Sequence, residues 1–292
     1  MSQFPGTEVA NASSIIYKEE MFSLSLDFKK GATNYIHAIT IRKHGKDFGV
    51  VKSLQLSAGE KIYGPVKSFL KSVDNNLYLF YYKETGEDKM QLLVSKVNPE
   101  NLQLSETVSL QDIQPNGKHM GFYNRSVTND ENNSLLKSFY GDGPKYLYKT
   151  FFFELSPDGS KVLLVWTTGW DNQVFYSILN KDMTKIRSGD IKLPGDDRVA
   201  LGSSCIDNSG NSYLVYHYSN KKQDIAGLFA IDRSGKTNVN QIAIPEAEVS
   251  SAFARIKQGD DMIFLTGTYK QNSYNLSGVF KQQFFFLHHR FH

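Results

Sequence analysis

A corner of Asp, Gly and small polar residues, set between two apolar runs, returns along this chain at a near-constant interval. "FELSPDGSKVLLVW" (Phe153–Trp166) carries it around Asp158, and "SSCIDNSGNSYLVYHYS" carries it around Asp207, 49 residues on. "FARIKQGDDMIFLTGTYK" repeats it at Asp260, 53 residues further, and "SFLKSVDNNLYLFYYKE" has it at Asp74. The step from Asp74 to Asp158 is 84 residues, which requires an insertion. A second mark keeps the same beat: "IKLP" at Ile191–Pro194 returns as "IAIP" at Ile242–Pro245. Each unit reads as strand, Asp/Gly turn, strand, loop, strand, Asn/Asp turn, strand. Four strands in about 50 residues is the period of a propeller blade. No window holds apolar residues at i, i+3, i+4, i+7 over three turns, so long helices are not expected.

The strands agree with that reading. "LYLFYY" (Leu77–Tyr82), "KVLLVW" (Lys161–Trp166) and "MIFLTG" (Met262–Gly267) are apolar on both faces, and such strands must be covered on both sides. Blades stacked face to face do this for their inner strands, whereas "IRSGDIKLP" and "TNVNQIAIP" have the polarity of outer ones. Twenty Phe and 16 Tyr among 292 residues fit half-buried pleated surfaces. A two-sheet sandwich also has many short strands, but not a 50-residue period of four-strand units. The expectation is an all-β chain: a β-propeller of about five four-stranded antiparallel blades, incomplete or imperfectly closed. Residues 1–14 read as a tail and residues 15–292 as a single domain. Its units fall at about 15–60, 61–112, 151–198, 199–247 and 248–292, with a long loop over 113–150. The last unit supplies three strands, and "SIIYKEEMFSLSLDF" (Ser14–Phe28) alternates well enough to complete it.

The corners carry a family resemblance. "LSPDGSKVLLVW" resembles the WD40-like repeat of TolB-type propellers, and "IDNSGNSYLVY" is similar to the D-x-x-G-N-x-Y corner of NHL- and SBBP-type repeats. The whole chain resembles uncharacterised bacterial, often exported, propeller proteins. That resemblance implies a propeller fold and a periplasmic or exported location. The chain departs from it in having no export signal in "MSQFPGTEVANASS" and in ending on "FKQQFFFLHHRFH".

Several function classes are argued against by what the residues are. A net charge of +3 with 22% charged residues is too balanced to point to nucleic acid or an anionic membrane. No run approaches the roughly 18 apolar residues of a membrane-spanning helix. Cys205 is the single cysteine, so neither an internal disulfide nor a cysteine metal cluster can form. No P-loop, dinucleotide fingerprint, H-E-x-x-H or G-x-S-x-G elbow occurs. The Asp residues of the corners offer too few carboxylates for calcium, which takes six to eight oxygens. Asp74, Asp158, Gly159, Asp207, Gly210 and Asp260 are therefore expected to be structural turn residues: Asp bonds its own backbone and Gly supplies positive φ. No cofactor or metal is expected, and no catalytic residue stands out.

Candidate binding residues are Trp166, at the end of "KVLLVW", and Trp170, Asp171 and Asn172 in the connection "TTGWDNQ" that follows it. Such a rim could stack a sugar or peptide, although large aromatics more often fill a core. A binding site is expected on loops at one mouth of the propeller, with this connection and residues 116–146 as the candidates. The primary functional expectation is a non-catalytic scaffold that binds a protein or glycan partner through its loop face. The alternative is a hydrolase or lyase acting on saccharide or peptide, with an axial active site. The step from fold to function is analogy in either case.

Overall fold

The computed structural model describes residues 7–29, 35–62, 68–86, 89–113, 151–167, 173–193, 199–219, 224–242, 247–256, 262–271 and 282–290. These residues are all-β, with no helix among them. They form five antiparallel sheets in which each strand pairs with its neighbour in sequence, the up-and-down pattern of propeller blades. The chain divides into two compact units, Met1–Lys137 and Ser138–His292.

The first unit holds two four-stranded sheets. Strands β1 (Thr7–Tyr17), β2 (Glu20–Lys29), β3 (Tyr35–His44) and β4 (Val50–Ile62) make the first sheet. Strands β5 (Phe69–Val73), β6 (Asn76–Gly86), β7 (Lys89–Val97) and β8 (Leu104–Ile113) make the second. Two-residue hairpins join β1 to β2 and β5 to β6, with positive φ at both central residues: Lys18 and Glu19 in one, Asp74 and Asn75 in the other. This is the primed geometry that matches strand twist. The two sheets pack through β1 and β2 against β5, and β4 against β6. The Tyr17 ring meets Phe22 edge-on while its hydroxyl donates to the Asn75 carbonyl. Lys43 sits between Glu20 (2.8 Å) and Glu100 (3.6 Å), tying the β2–β3 hairpin to the turn after β7.

One expectation is overturned here. Ser14–Phe28 does not complete the last unit; it spans the β1–β2 hairpin of a sheet that has all four of its own strands. That sheet begins at Thr7, within the stretch read as a tail. The alternation of "FSLSLDF" was sound evidence for a strand but could not name its partner, because pairing is settled by register over distant residues.

The second unit holds three sheets. The third comprises β9 (Phe151–Leu155), β10 (Lys161–Thr167), β11 (Gln173–Asn180) and β12 (Lys185–Lys192). The fourth comprises β13 (Val199–Ile206), β14 (Ser212–Ser219), β15 (Asp224–Ile231) and β16 (Thr237–Ile242). The fifth has three strands among the described residues: β17 (Ala247–Ile256), β18 (Met262–Gln271) and β19 (Gln282–Arg290). Alternate residues of β14 serve two cores. Leu214 and Tyr216 join Leu163, Val165 and Tyr176 of the third sheet, while Tyr213 and Val215 join Ala252, Ala254 and Leu265 of the fifth. Continuous apolar strands are thus covered on both faces, as their sequence demanded. The Ala254 amide also donates to Ser203 Oγ at 2.8 Å, linking the fifth sheet to the fourth.

Candidate functional site

The acidic corners are occupied by their own backbone. Asp158 Oδ1 accepts the Ser156 hydroxyl (2.6 Å) and the Ser160 amide (2.9 Å), while Ser156 Oγ takes the Lys161 amide. Asp207 accepts the Asn211 amide (2.8 Å) on one oxygen and the Asn211 side-chain nitrogen (2.6 Å) on the other. Asp232 Oδ1 takes the Ser234 amide, the Ser234 hydroxyl and the Lys236 amide. Gly159, Gly210 and Gly235 follow with φ of +70°, +91° and +93°. The hydroxyl bonds from Ser156 and Ser234 hold the Asp158 and Asp232 carboxyls below the usual carboxylate range, and the Thr184 hydroxyl does the same for Asp182.

The corners also clasp one another. The Asp158 amide donates to Asn208 Oδ1 (3.0 Å), and the Arg187 guanidinium caps the Asp232 and Arg233 carbonyls at 2.8 and 2.7 Å. Among the described residues no three His, Cys, Asp or Glu side chains gather where they could hold a metal ion. Cys205 offers no reactive thiolate either: burial pushes its thiol well above the ordinary range.

A different kind of surface lies on the first sheet. Phe22, Leu24 and Leu26 of β2 turn their side chains to the core face, together with Ile39 and Ile41 of β3. The intervening residues Ser23, Ser25 and Asp27 share the opposite face with Thr40, Arg42 and His44 of β3 and with Gln55 of β4, as the register requires. Hydrogen bonds run diagonally across it. Asp27 Oδ2 accepts from Thr40 Oγ1 (2.9 Å) and Gln55 Nε2 (3.0 Å), and Arg42 donates to Ser25 Oγ. Ser23 Oγ lies 2.7 Å from His44 Nε2, and His44 Nδ1 lies 3.0 Å from the Phe48 carbonyl. Asp27 is only 6% exposed, yet its Oδ1 has no hydrogen-bond partner among the described residues. Ser14 and Gln55 lie exposed at the two sides of this face, and Arg42 and His44 are half-buried within it. The face therefore gathers hydroxyl, carboxylate, guanidinium, imidazole and amide groups within one sheet, with Ser23, Ser25, Asp27 and Thr40 buried and Arg42, His44 and Gln55 reaching solvent.

None of these residues was picked out as a site from the sequence. Of those that were, Trp166 is 4% exposed and stacks on Phe175, with ring centroids 5.9 Å apart. Its ring belongs to the packed interior of the third sheet. Trp170, Asp171 and Asn172 lie outside the described residues, as do Asp260 and residues 116–146. Asp74 occupies its hairpin turn, where its carbonyl accepts the Asn76 side chain at 2.9 Å. The signal that could have found the polar face is the strict alternation of β2, which interleaves Ser, Ser and Asp with Phe, Leu and Leu.

No family model matches the chain, and no curated protein does. The corner resemblance to TolB-type and NHL repeats is thus a likeness of turn chemistry. Among solved structures the chain is similar to a mannose phosphorylase from Leishmania mexicana, at 11% identity and a TM-score of 0.39, covering 91% of this chain and 80% of that one. It is similar to an endo-arabinase from Bacteroides thetaiotaomicron at 10% identity and a TM-score of 0.31, covering 93% and 91%. It is also similar to a puromycin hydrolase at 12% identity and a TM-score of 0.40, covering 90% of this chain and 34% of that one.

Proposed function

We propose that this chain binds a glycan on the polar face of its first sheet. The observation that supports the reading is the row of hydrogen-bonding side chains running from Ser23 to Asp27 on β2 and across to Arg42, His44 and Gln55. Polyhydroxyl ligands are recognised by such mixed donors and acceptors, and Ser14 and Gln55 are open to solvent at the two sides of the face. A protein partner would ask for an apolar patch centre with aromatic anchors. Among the described residues the middle of this face has neither.

The test is a titration of the full chain with a panel of neutral and acidic oligosaccharides, read by calorimetry. At least one class should bind, and Arg42→Ala should weaken that binding about tenfold, the equivalent of roughly 1.4 kcal/mol for a lost charge-assisted hydrogen bond. Gln55→Ala, at an exposed position, should weaken it less. A panel without a single binder, or affinity untouched by Arg42→Ala in a folded variant, would sink the proposal.

A further inference from the structure

Ser23 and His44 are placed as a nucleophile and its base. The carbonyl of Phe48 can only accept, so the His44 Nδ1 facing it at 3.0 Å carries the proton. In the neutral ring that leaves Nε2 as the acceptor, and the Ser23 hydroxyl 2.7 Å away donates to it. Base, nucleophile and a third group that fixes the base's tautomer are the elements of serine catalysis, whatever their order along the chain. The orienting carbonyl is itself held. In the turn, Gly45 donates to the Gly49 carbonyl (2.9 Å), Phe48 to the Gly45 carbonyl (3.0 Å), and Gly49 to Asp47 Oδ1 (3.1 Å). Arg42 is the direct cross-strand partner of Ser23, and among the described residues its guanidinium makes a single hydrogen bond, to Ser25. Its remaining N–H groups are cationic donors on the same face of the sheet as Ser23. Ser23 is 8% exposed, but its partner on the other side, Ser14 of β1, is open to solvent.

We infer that this site hydrolyses an ester, and that the substrate is an O-acylated saccharide; the substrate class rests on the glycan-binding reading above. Ser23 Oγ bonds to the acyl carbonyl carbon as its proton passes to His44 Nε2, and Arg42 faces the developing oxyanion. The carbon–oxygen bond to the sugar breaks, and the sugar oxygen takes the proton from His44. Water then adds to the acyl carbon and gives a proton to His44. Ser23 Oγ leaves, recovers that proton, and releases the carboxylic acid. A Ser–His contact that served only to close the sheet face would do none of this, so the two roles separate by experiment.

The native chain is treated with a fluorophosphonate probe and digested, and the adduct is located by mass spectrometry. Release of acid from p-nitrophenyl acetate and from an O-acetylated oligosaccharide is followed in parallel. The expected result is an adduct on Ser23, absent in Ser23→Ala, with both hydrolyses lowered a hundredfold or more by His44→Gln, the scale of a lost general base. Circular dichroism and saccharide titration report whether each variant is folded. A native chain that binds saccharide yet gives no Ser23 adduct overturns the catalytic inference and leaves glycan binding in place. Ser23-dependent cleavage of p-nitrophenyl acetate with no acid released from any acylated saccharide overturns the substrate assignment instead.

Discussion

Adding one methyl group beneath Tyr216 should be among the most damaging small changes available to the second unit. Gly227 on β15 pairs directly with Tyr216 on β14, and the tyrosine ring lies over it. A Cβ at Gly227 would fall 2.6 Å from Tyr216 Cε1 and nearer still to Cζ, inside the 3.5–4.0 Å at which carbon atoms rest. The ring would have to move by about 1 Å or more to restore contact distance. Tyr216 is 2% exposed among Leu214, Phe229 and Tyr176, so that space is already filled.

Overpacking of this kind costs about 1–3 kcal/mol, and a clash with the body of a ring belongs at the upper end. Alanine in a strand recovers about 0.5–1 kcal/mol through the unfolded chain, leaving a net loss of about 2 kcal/mol. At about 2–4 °C per kcal/mol that is a fall of roughly 4–8 °C in Tm. The same arrangement recurs one sheet earlier, where Gly189 faces Tyr176, but there the built Cβ meets the hydroxyl oxygen at 2.9 Å and ring carbons at 3.1 Å. A ring-end shift of a few tenths of an ångström relieves it, so Gly189→Ala should be close to neutral. Urea denaturation of Gly227→Ala, Tyr216→Leu and the double variant completes the case. Once the ring is gone the alanine should cost little, giving a coupling of about 1–3 kcal/mol. Additive effects, or a Gly227→Ala chain as stable as the parent, would refute the reasoning.

Two further outcomes follow from the corners. Nothing lies within 4 Å of a Cβ built on Gly210, so at φ +91° the penalty of Gly210→Val is purely conformational, about 1–2 kcal/mol. Gly210→Asn should cost less, and equal stabilities of the two by chemical denaturation would contradict this. The depressed carboxyls of Asp158, Asp182 and Asp232 contribute stability that is present above the unfolded value of about 3.9 and lost as pH falls through their lower folded values. Thermal melts between pH 5 and 2 should therefore show a shallower acid decline in the triple Asp→Asn variant than in the parent; superimposable curves would argue against these turns.

The corners were legible in the sequence because turn chemistry is local. Asp158, Gly159, Asp207 and Gly210 each bond backbone groups within four residues of themselves, so a short stretch of sequence contains the turn itself, though not the clasp between Asp158 and Asn208. The β1–β2 turn gave no such signal. Lys18 and Glu19 adopt left-handed φ of 49° and 65° although neither is a residue that favours it, and only the flanking ladder imposes it. The candidate site was illegible for a second reason. Ser23, His44 and the Phe48 carbonyl meet only because β2 and β3 pair in one register, and a shift of one residue would send the serine to the core face.

That dependence on register also explains why the first sheet carries polar chemistry and the fourth does not. In β14 every residue from Ser212 to His217 is buried, and the apolar ones require a neighbouring sheet against each face. In β2 the run Phe22–Asp27 is equally buried, but Ser23, Ser25 and Asp27 sit among Arg42, His44, Thr40 and Gln55 and share hydrogen bonds with them. A buried polar group is tolerable only when hydrogen-bonded, and each of these residues meets that condition through at least one atom. Asp27 Oδ1 is the exception, and an acceptor left alone in this way costs about 1–3 kcal/mol. Leucine at that position would remove this cost but leave Thr40 Oγ1 and Gln55 Nε2 without the acceptor they share. The carboxylate is thus held by the donors it serves, Thr40 and Gln55, and Asp27→Leu should destabilise the first sheet in chemical denaturation rather than relieve it.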